Sequence, residues 1–244
     1  MATTALQQKD ARSQVSATTI TMTFTSSLTA GSTVVGSVTW SGGPDTLTSV
    51  TVDSVTATLI DYVADTTNDQ LIKSFYLKNV SAGAGVVLAT FGSTKGYRAM
   101  AAHEVGGANT TTQPEGNNAK WWSTSPGTGT DANTANAAIT PSLDGCYFFC
   151  SSMDSSNNNS VHTAGTSYTR DTNGSSSDVD FSSEHFIQTS AASLHGRWTE
   201  SIANLMLTAL VVVKASEAGG ATVAQTIPGI IQGANNPMIG LRYV

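Results

Sequence analysis

Of the chain's 244 residues only 11% are Asp, Glu, Lys or Arg, against a formal net charge of -6 with four histidines. A globular domain is ordinarily about one-quarter charged, and enzymes draw acids, bases and phosphate anchors from that pool. With no Lys/Arg run anywhere, the clustered cations that neutralise phosphates are lacking, and nucleic acid is not expected as a partner.

The length fits a single large all-β domain. The 39% of hydrophobic residues is enough for a sandwich core, because a half-buried strand hides only alternate side chains while Thr and Ser carry the wet face. The segment Met1 to Asp10 (MATTALQQKD) has neither the basic nor the apolar stretch of a signal peptide. It is expected to be an arm, residues 1–16, ahead of the sandwich. The longest apolar run, Leu205 to Val213 (LMLTALVVV), is half of what a membrane helix needs and reads as a buried strand, so no membrane partner is expected.

In chain order, Thr18 to Phe24 (TTITMTF) alternates Ile20, Met22 and Phe24 with Thr, the period of a half-buried strand. Ser32 to Trp40 (STVVGSVTW) is apolar on both faces at Val34 and Val35 and reads as a central strand. A Gly/Pro loop at 41–46 leads to strands at Leu47 to Val52 and Val55 to Tyr62. After DTTND (65–69) come Leu71 to Leu77 and, past SAGAG (81–85), Val86 to Phe91. Tyr97 to Val105 (YRAMAAHEV) has the Ala content of a helix, but its Gly-bounded spacing argues for a strand.

Residues 106–136 are rich in Gly, Asn and Thr and read as a long loop with an aromatic island at Trp121 and Trp122. Beyond it, Ala137 to Thr140, Cys146 to Met153, Ser167 to Arg170, Val179 to Thr189, Ser193 to Thr199 and Leu205 to Lys214 read as strands. About a dozen short strands without a helix predict an all-β fold: a two-sheet antiparallel β-sandwich, jelly-roll or immunoglobulin-like, over residues 17–215. Trp40, Phe75, Phe91, Phe149 and Leu207 are its expected core. Residues 216–244 form an extended C-terminal tail, whose Ile227, Ile230, Ile231, Met238, Ile239 and Leu241 with Pro228 and Pro237 predict docking onto a neighbour or onto its own sheet edge.

Cys146 and Cys150 in CYFFC lie on one face of a strand at about 3.3 Å per residue, too far apart to bridge, and are expected as free, buried thiols. Neighbouring strand residues point to opposite faces, so neither His103 with Glu104 nor Glu184 with His185 is an acid/base pair. Arg98 and Glu104 share a face and suit ordinary cross-strand ion pairs. The chain holds no G-x-S-x-G elbow. DTTND (65–69) and SSMDSSNNNS (151–160) offer oxygen ligands without the carboxylate count of a calcium loop and read as solvated turns. No catalytic residue, cofactor or metal is expected. Trp121 and Trp122 are candidates for a subunit contact, for intrachain packing, or for a platform under a sugar ring.

Four segments, FTSSLTAGSTVVGSVTW (24–40), SFYLKNVSAGAGVVLATFGSTKGYRAMAAHEVGG (74–107), SYTRD (167–171) and LMLTALVVVKA (205–215), in this order resemble a recurrent β-sandwich module of bacteriophage virion proteins and bacterial surface proteins. The resemblance covers roughly residues 15–215 through many loose positions and no rare motif. Where the module has a "D..GN.Y" turn this chain has Asp53-Ser-Val-Thr-Ala, so no ligand role carries over to that turn. The resemblance implies a non-enzymatic virion protein of a tailed bacteriophage, a capsid decoration or cement protein made in the host cytoplasm and located on the capsid surface. Its partners would be the major capsid protein and copies of itself, a trimer by expectation. The alternative is a carbohydrate-binding or adhesion module on a phage tail or bacterial surface, with a surface glycan as partner. A hydrolase is the third, weakest reading.

Overall fold

The computed structural model describes residues 1–43, 46–122, 138–154, 162–165, 167–174, 181–196, 198–200 and 206–217, although not every side chain within the strands. The described chain is all-β and antiparallel, without a helix, in agreement with the sandwich predicted from the sequence.

Three sheets stack face to face. The outer one, in the order β2-β8-β4-β5, contains β2 (Ala17–Thr23), β8 (Val86–Lys95), β4 (Leu47–Val52) and β5 (Val55–Thr56). In β2 Ile20 and Met22 are buried between exposed Thr19, Thr21 and Thr23, so its inner face is dry and its outer face wet. The middle sheet, β1-β9-β3-β7-β6, joins β1 (Thr4–Ser13), β9 (Arg98–Gly106), β3 (Thr33–Ser41), β7 (Gln70–Leu77) and β6 (Thr58–Asp65). The third, β10-β16-β11-β14-β13, joins β10 (Gly116–Trp122), β16 (Met206–Val213), β11 (Tyr147–Asp154), β14 (Phe181–Ile187) and β13 (Thr169–Gly174). A two-stranded pair, β12 (His162–Ala164) with β15 (Trp198–Glu200), completes the described strands.

Because the middle sheet is covered on both sides, β3 and β9 are buried at every position but their last residue, which explains why β3 runs apolar or small without alternation and why the buried Arg98, His103 and Glu104 of β9 each have hydrogen-bond partners. Val34, Val38, Trp40, Phe75, Met100 and Ala102 pack with the outer sheet's Val50, Val87 and Phe91. The opposite face sets Ile72, Ala99 and Ala101 against Met153, Phe181 and Leu207, and Val35 and Val105 against Phe149 and Val211. The five expected core residues Trp40, Phe75, Phe91, Phe149 and Leu207 are all buried. The outer face of β11 and β16 carries Phe148, Cys150, Met206 and Leu210, packed with Trp198 and Tyr168.

The structure departs from the sequence reading at four places. Residues 4–13, expected in an arm, form β1, hydrogen-bonded to β9 at the edge of the middle sheet; their side chains are mostly half-exposed, and their sequence is correspondingly polar. Within the expected 106–136 loop, β10 pairs with β16, Trp121 opposite Leu207 and Trp122 opposite Met206. Ala137 to Thr140 and the start of Ser193 to Thr199 contribute only the bridge Ile139–Leu194 among the described residues. Arg98 and Glu104 take neutral partners in place of ion pairs: Arg98 donates to the Val15 and Thr19 carbonyls and to Ser13 Oγ, while Glu104 accepts from Gln7 Nε2, the Thr29 N–H and Ser32 Oγ.

Candidate functional site

Odd positions of β9 face the third sheet, and Tyr147 and Phe149 of β11 and Ser183 and His185 of β14 face back toward the middle sheet. This alternation brings His103 into the interface between the two sheets. There its Nδ1 lies 2.8 Å from the Tyr147 hydroxyl and its Nε2 3.2 Å from Ser183 Oγ. The Phe149 ring stands edge-on to it, with centroids 4.8 Å apart.

The third member comes from a β-bulge. In the β13–β14 ladder Arg170 pairs with Glu184 and Thr172 with Ser183, leaving Asp171 as the extra residue between them. A bulge re-aims a side chain that plain alternation would place elsewhere. The Asp171 carboxylate accepts from His185 Nδ1, at 2.8 and 2.7 Å to its two oxygens, and its Oδ2 is 3.7 Å from His103 Nε2. Tyr147 and His185 stack with centroids 5.1 Å apart and planes 6° from parallel.

His103 is fully buried and the Asp171 carboxylate has no exposed surface, while the His185 side chain keeps 15%. Burial, and secondarily His185, hold the His103 imidazole well below its ordinary value of 6.5, so it is neutral at neutral pH. Burial also raises the Asp171 carboxyl above 3.8, opposed by its contact with His185. The Tyr147 phenol is pushed well above 10 by burial and by the neighbouring Asp171.

The arrangement is not a Ser-His-Asp triad. In a triad the two imidazole nitrogens face Ser and Asp separately, whereas Ser183 and Asp171 both lie beside Nε2 of His103, and Tyr147 occupies Nδ1. One ligand atom each from His103, Asp171 and His185 lies within 4.8 Å of the others, which makes the cluster a set of two imidazoles and a carboxylate.

The sequence reading was right that neither histidine works with its neighbour in the chain. It missed the cluster, whose members come from β9, β13 and β14. The local signal was slight: His103 follows the small and apolar Ala99 to Ala102, and His185 stands between Glu184 and Phe186. The other candidates are not gathered here. Trp121 and Trp122 sit on β10, an edge strand of the third sheet, but their side chains are outside the described residues, as are Ile227, Ile230, Ile231, Met238, Ile239 and Leu241 altogether. Asp65 caps its own turn, accepting from the N–H groups of Thr67 and Asn68; residues 155–160 are not described. Asp53 accepts from the N–H groups of Gly85 and Val86 and so holds the turn before β8.

A separate cleft of about 490 Å³ lies where the described chain ends, lined among others by Met1, Ala2, Leu143, Ile187, Ser216 and Glu217. The amino group of Met1 donates to the Ser216 carbonyl at 2.6 Å, and the Thr3 N–H and hydroxyl both donate to the Gly145 carbonyl. Comparison of the chain with protein-family models, curated proteins and solved structures finds no match.

Proposed function

We propose that the chain is a non-enzymatic structural protein of a tailed-bacteriophage particle, a capsid decoration or cement protein that acts through contacts with the shell and with copies of itself. The observation that carries this reading is the cleft beside Ser216 and Glu217. The apolar segment 221–244 begins only a few residues beyond it. Such a segment needs a surface to cover it, and a cleft at its root, on this copy or on a neighbour, is a place for one. The charge-poor composition and the order of the four sandwich segments favour the same reading. Of the described ionisable cluster, His103 is buried between the sheets and His185 keeps only 15% of its side chain exposed.

The test is deletion of residues 221–244. The shortened chain is expected to keep its β-sheet circular dichroism, to sediment as a monomer where the full chain forms a closed oligomer, a trimer by this reading, and to lose binding to capsid shells. Unchanged occupancy on the shells, or a full chain that neither oligomerises nor binds them, overturns it.

A further inference from the structure

We infer that His103, Asp171 and His185 form a binding site for one divalent transition-metal ion of the zinc class, which ties the middle sheet to the third sheet. The donor set selects the ion. Two imidazole nitrogens and one carboxylate suit zinc and its first-row neighbours, whereas calcium and magnesium take oxygen ligands.

The spacing also fits. With metal–ligand distances of about 2.0–2.2 Å, ligand atoms around a tetrahedral ion stand about 3.3–3.6 Å apart. Two of the three separations, 2.7 Å from His185 Nδ1 to Asp171 Oδ2 and 3.7 Å from Asp171 Oδ2 to His103 Nε2, bracket that value, and all three ligand atoms lie within 4.8 Å of one another. Small side-chain shifts therefore suffice, and Ser183 Oγ, 3.2 Å from His103 Nε2, or a water can complete the shell.

Two further features belong to a metal centre. The Tyr147 hydroxyl sits at Nδ1 of His103 and can accept a hydrogen bond from Nδ1–H, which leaves Nε2 as the ligand and fixes the ring, the role that outer hydrogen bonds play around metal-bound histidine. The bulge at Asp171 brings the one carboxylate to the two imidazoles. On binding, the ion displaces the Nδ1 proton that His185 shares with Asp171, and that proton goes to solvent. No electron is transferred.

The experiment uses the full chain, stripped with a chelator and dialysed, then titrated with zinc chloride by calorimetry and with cobalt(II) by visible absorption. The expected results are one ion per chain, the intense visible bands of four-coordinate cobalt, and a melting temperature raised by about 5–10 °C at a free zinc concentration about 100 times Kd. Asp171→Asn keeps the shape of the side chain and one acceptor oxygen but removes the ligand charge, and His185→Gln removes a partly exposed ligand. Each should weaken zinc binding by about 100-fold or more, a larger loss than removal of an outer partner causes.

Absence of cobalt bands and of a melting shift in the wild-type chain overturns the inference. So does undiminished binding by both variants while circular dichroism shows them folded, which would put the ion elsewhere. Should both variants fail to fold, the wild-type chain decides: after diethylpyrocarbonate treatment with and without zinc, mass spectrometry of the peptide containing His185 should show protection only with the metal, and equal modification counts against the site.

Discussion

Gly36 and Phe75 are paired across β3 and β7, and the Phe75 ring occupies the space that any side chain at Gly36 would need: a Cβ there would fall 2.5 Å from Phe75 Cζ and 2.4 Å from the Ala101 carbonyl oxygen. The first contact could be relieved by moving a ring. The second is with the backbone of the neighbouring strand in a sheet covered on both faces, and it has nowhere to go.

Gly36→Ala is therefore expected to destabilise by about 1–3 kcal/mol, the cost of overpacking a closed core. Urea denaturation should show a lower midpoint with an unchanged slope. A midpoint equal to wild type would mean that β3 does not approach β9 and β7 as described.

Phe91→Ala tests the same interface from the side of the outer sheet. Phe91 meets Trp40 edge-on, ring centroids 5.4 Å apart at 66°, between the outer and middle sheets. Removing a buried phenyl ring leaves a cavity and should cost about 3–5 kcal/mol. Thermal or chemical denaturation reads the loss directly, and an unchanged melting temperature would contradict the register of β8.

These two positions also show what the sequence could reveal. Strands with one wet face announce themselves by alternation, as Ile20 and Met22 do between threonines, and strands buried on both faces by unbroken apolar or small runs, as in β16. β1 gave no such signal: as an edge strand with half-exposed side chains it can be built from Gln, Lys, Asp and Arg. β10 was hidden in a Gly/Asn-rich context, because its place follows from backbone pairing with β16 rather than from a pattern of its own. The His103 cluster was illegible for a different reason. Alternation says which face a residue takes, but the meeting of His103 with Asp171 and His185 depends on how two sheets stack and on a one-residue bulge.

Cys146 and Cys150 are both buried and free, as the strand spacing requires. The Cys146 thiol donates to the Leu143 carbonyl and burial raises it above its ordinary value, while Cys150 Sγ accepts from Trp198 Nε1. A thiol that is buried and harder to ionise reacts slowly. Ellman's reagent should thus find two thiols in the denatured, unreduced chain and label them far more slowly in the folded one. A denatured count of zero would place the cysteines in disulfides and refute the geometry of β11.

Glu115, just ahead of β10, gives a pH dependence with a definite sign. Burial alone would raise its carboxyl, but hydrogen bonds from Ser142, and after them the Lys214 ammonium, outweigh burial and hold it below its ordinary 4.5. A carboxyl lower in the folded than in the unfolded chain stabilises the fold above the unfolded value and loses that contribution as pH falls through the folded value. Glu115→Gln keeps an acceptor for the Ser142 N–H but not the charge. At pH 7 it should lower stability by about 1 kcal/mol, the scale of a partly buried charge-assisted hydrogen bond. The gap between variant and wild type should narrow as pH drops below about 4.5 and close once the wild-type carboxyl is protonated. Melting curves of the two proteins from pH 7 to pH 3 measure it. A gap that stays constant across that range would show that the ionised carboxylate is not what joins the start of β10 to the residue 142 loop and to the end of β16.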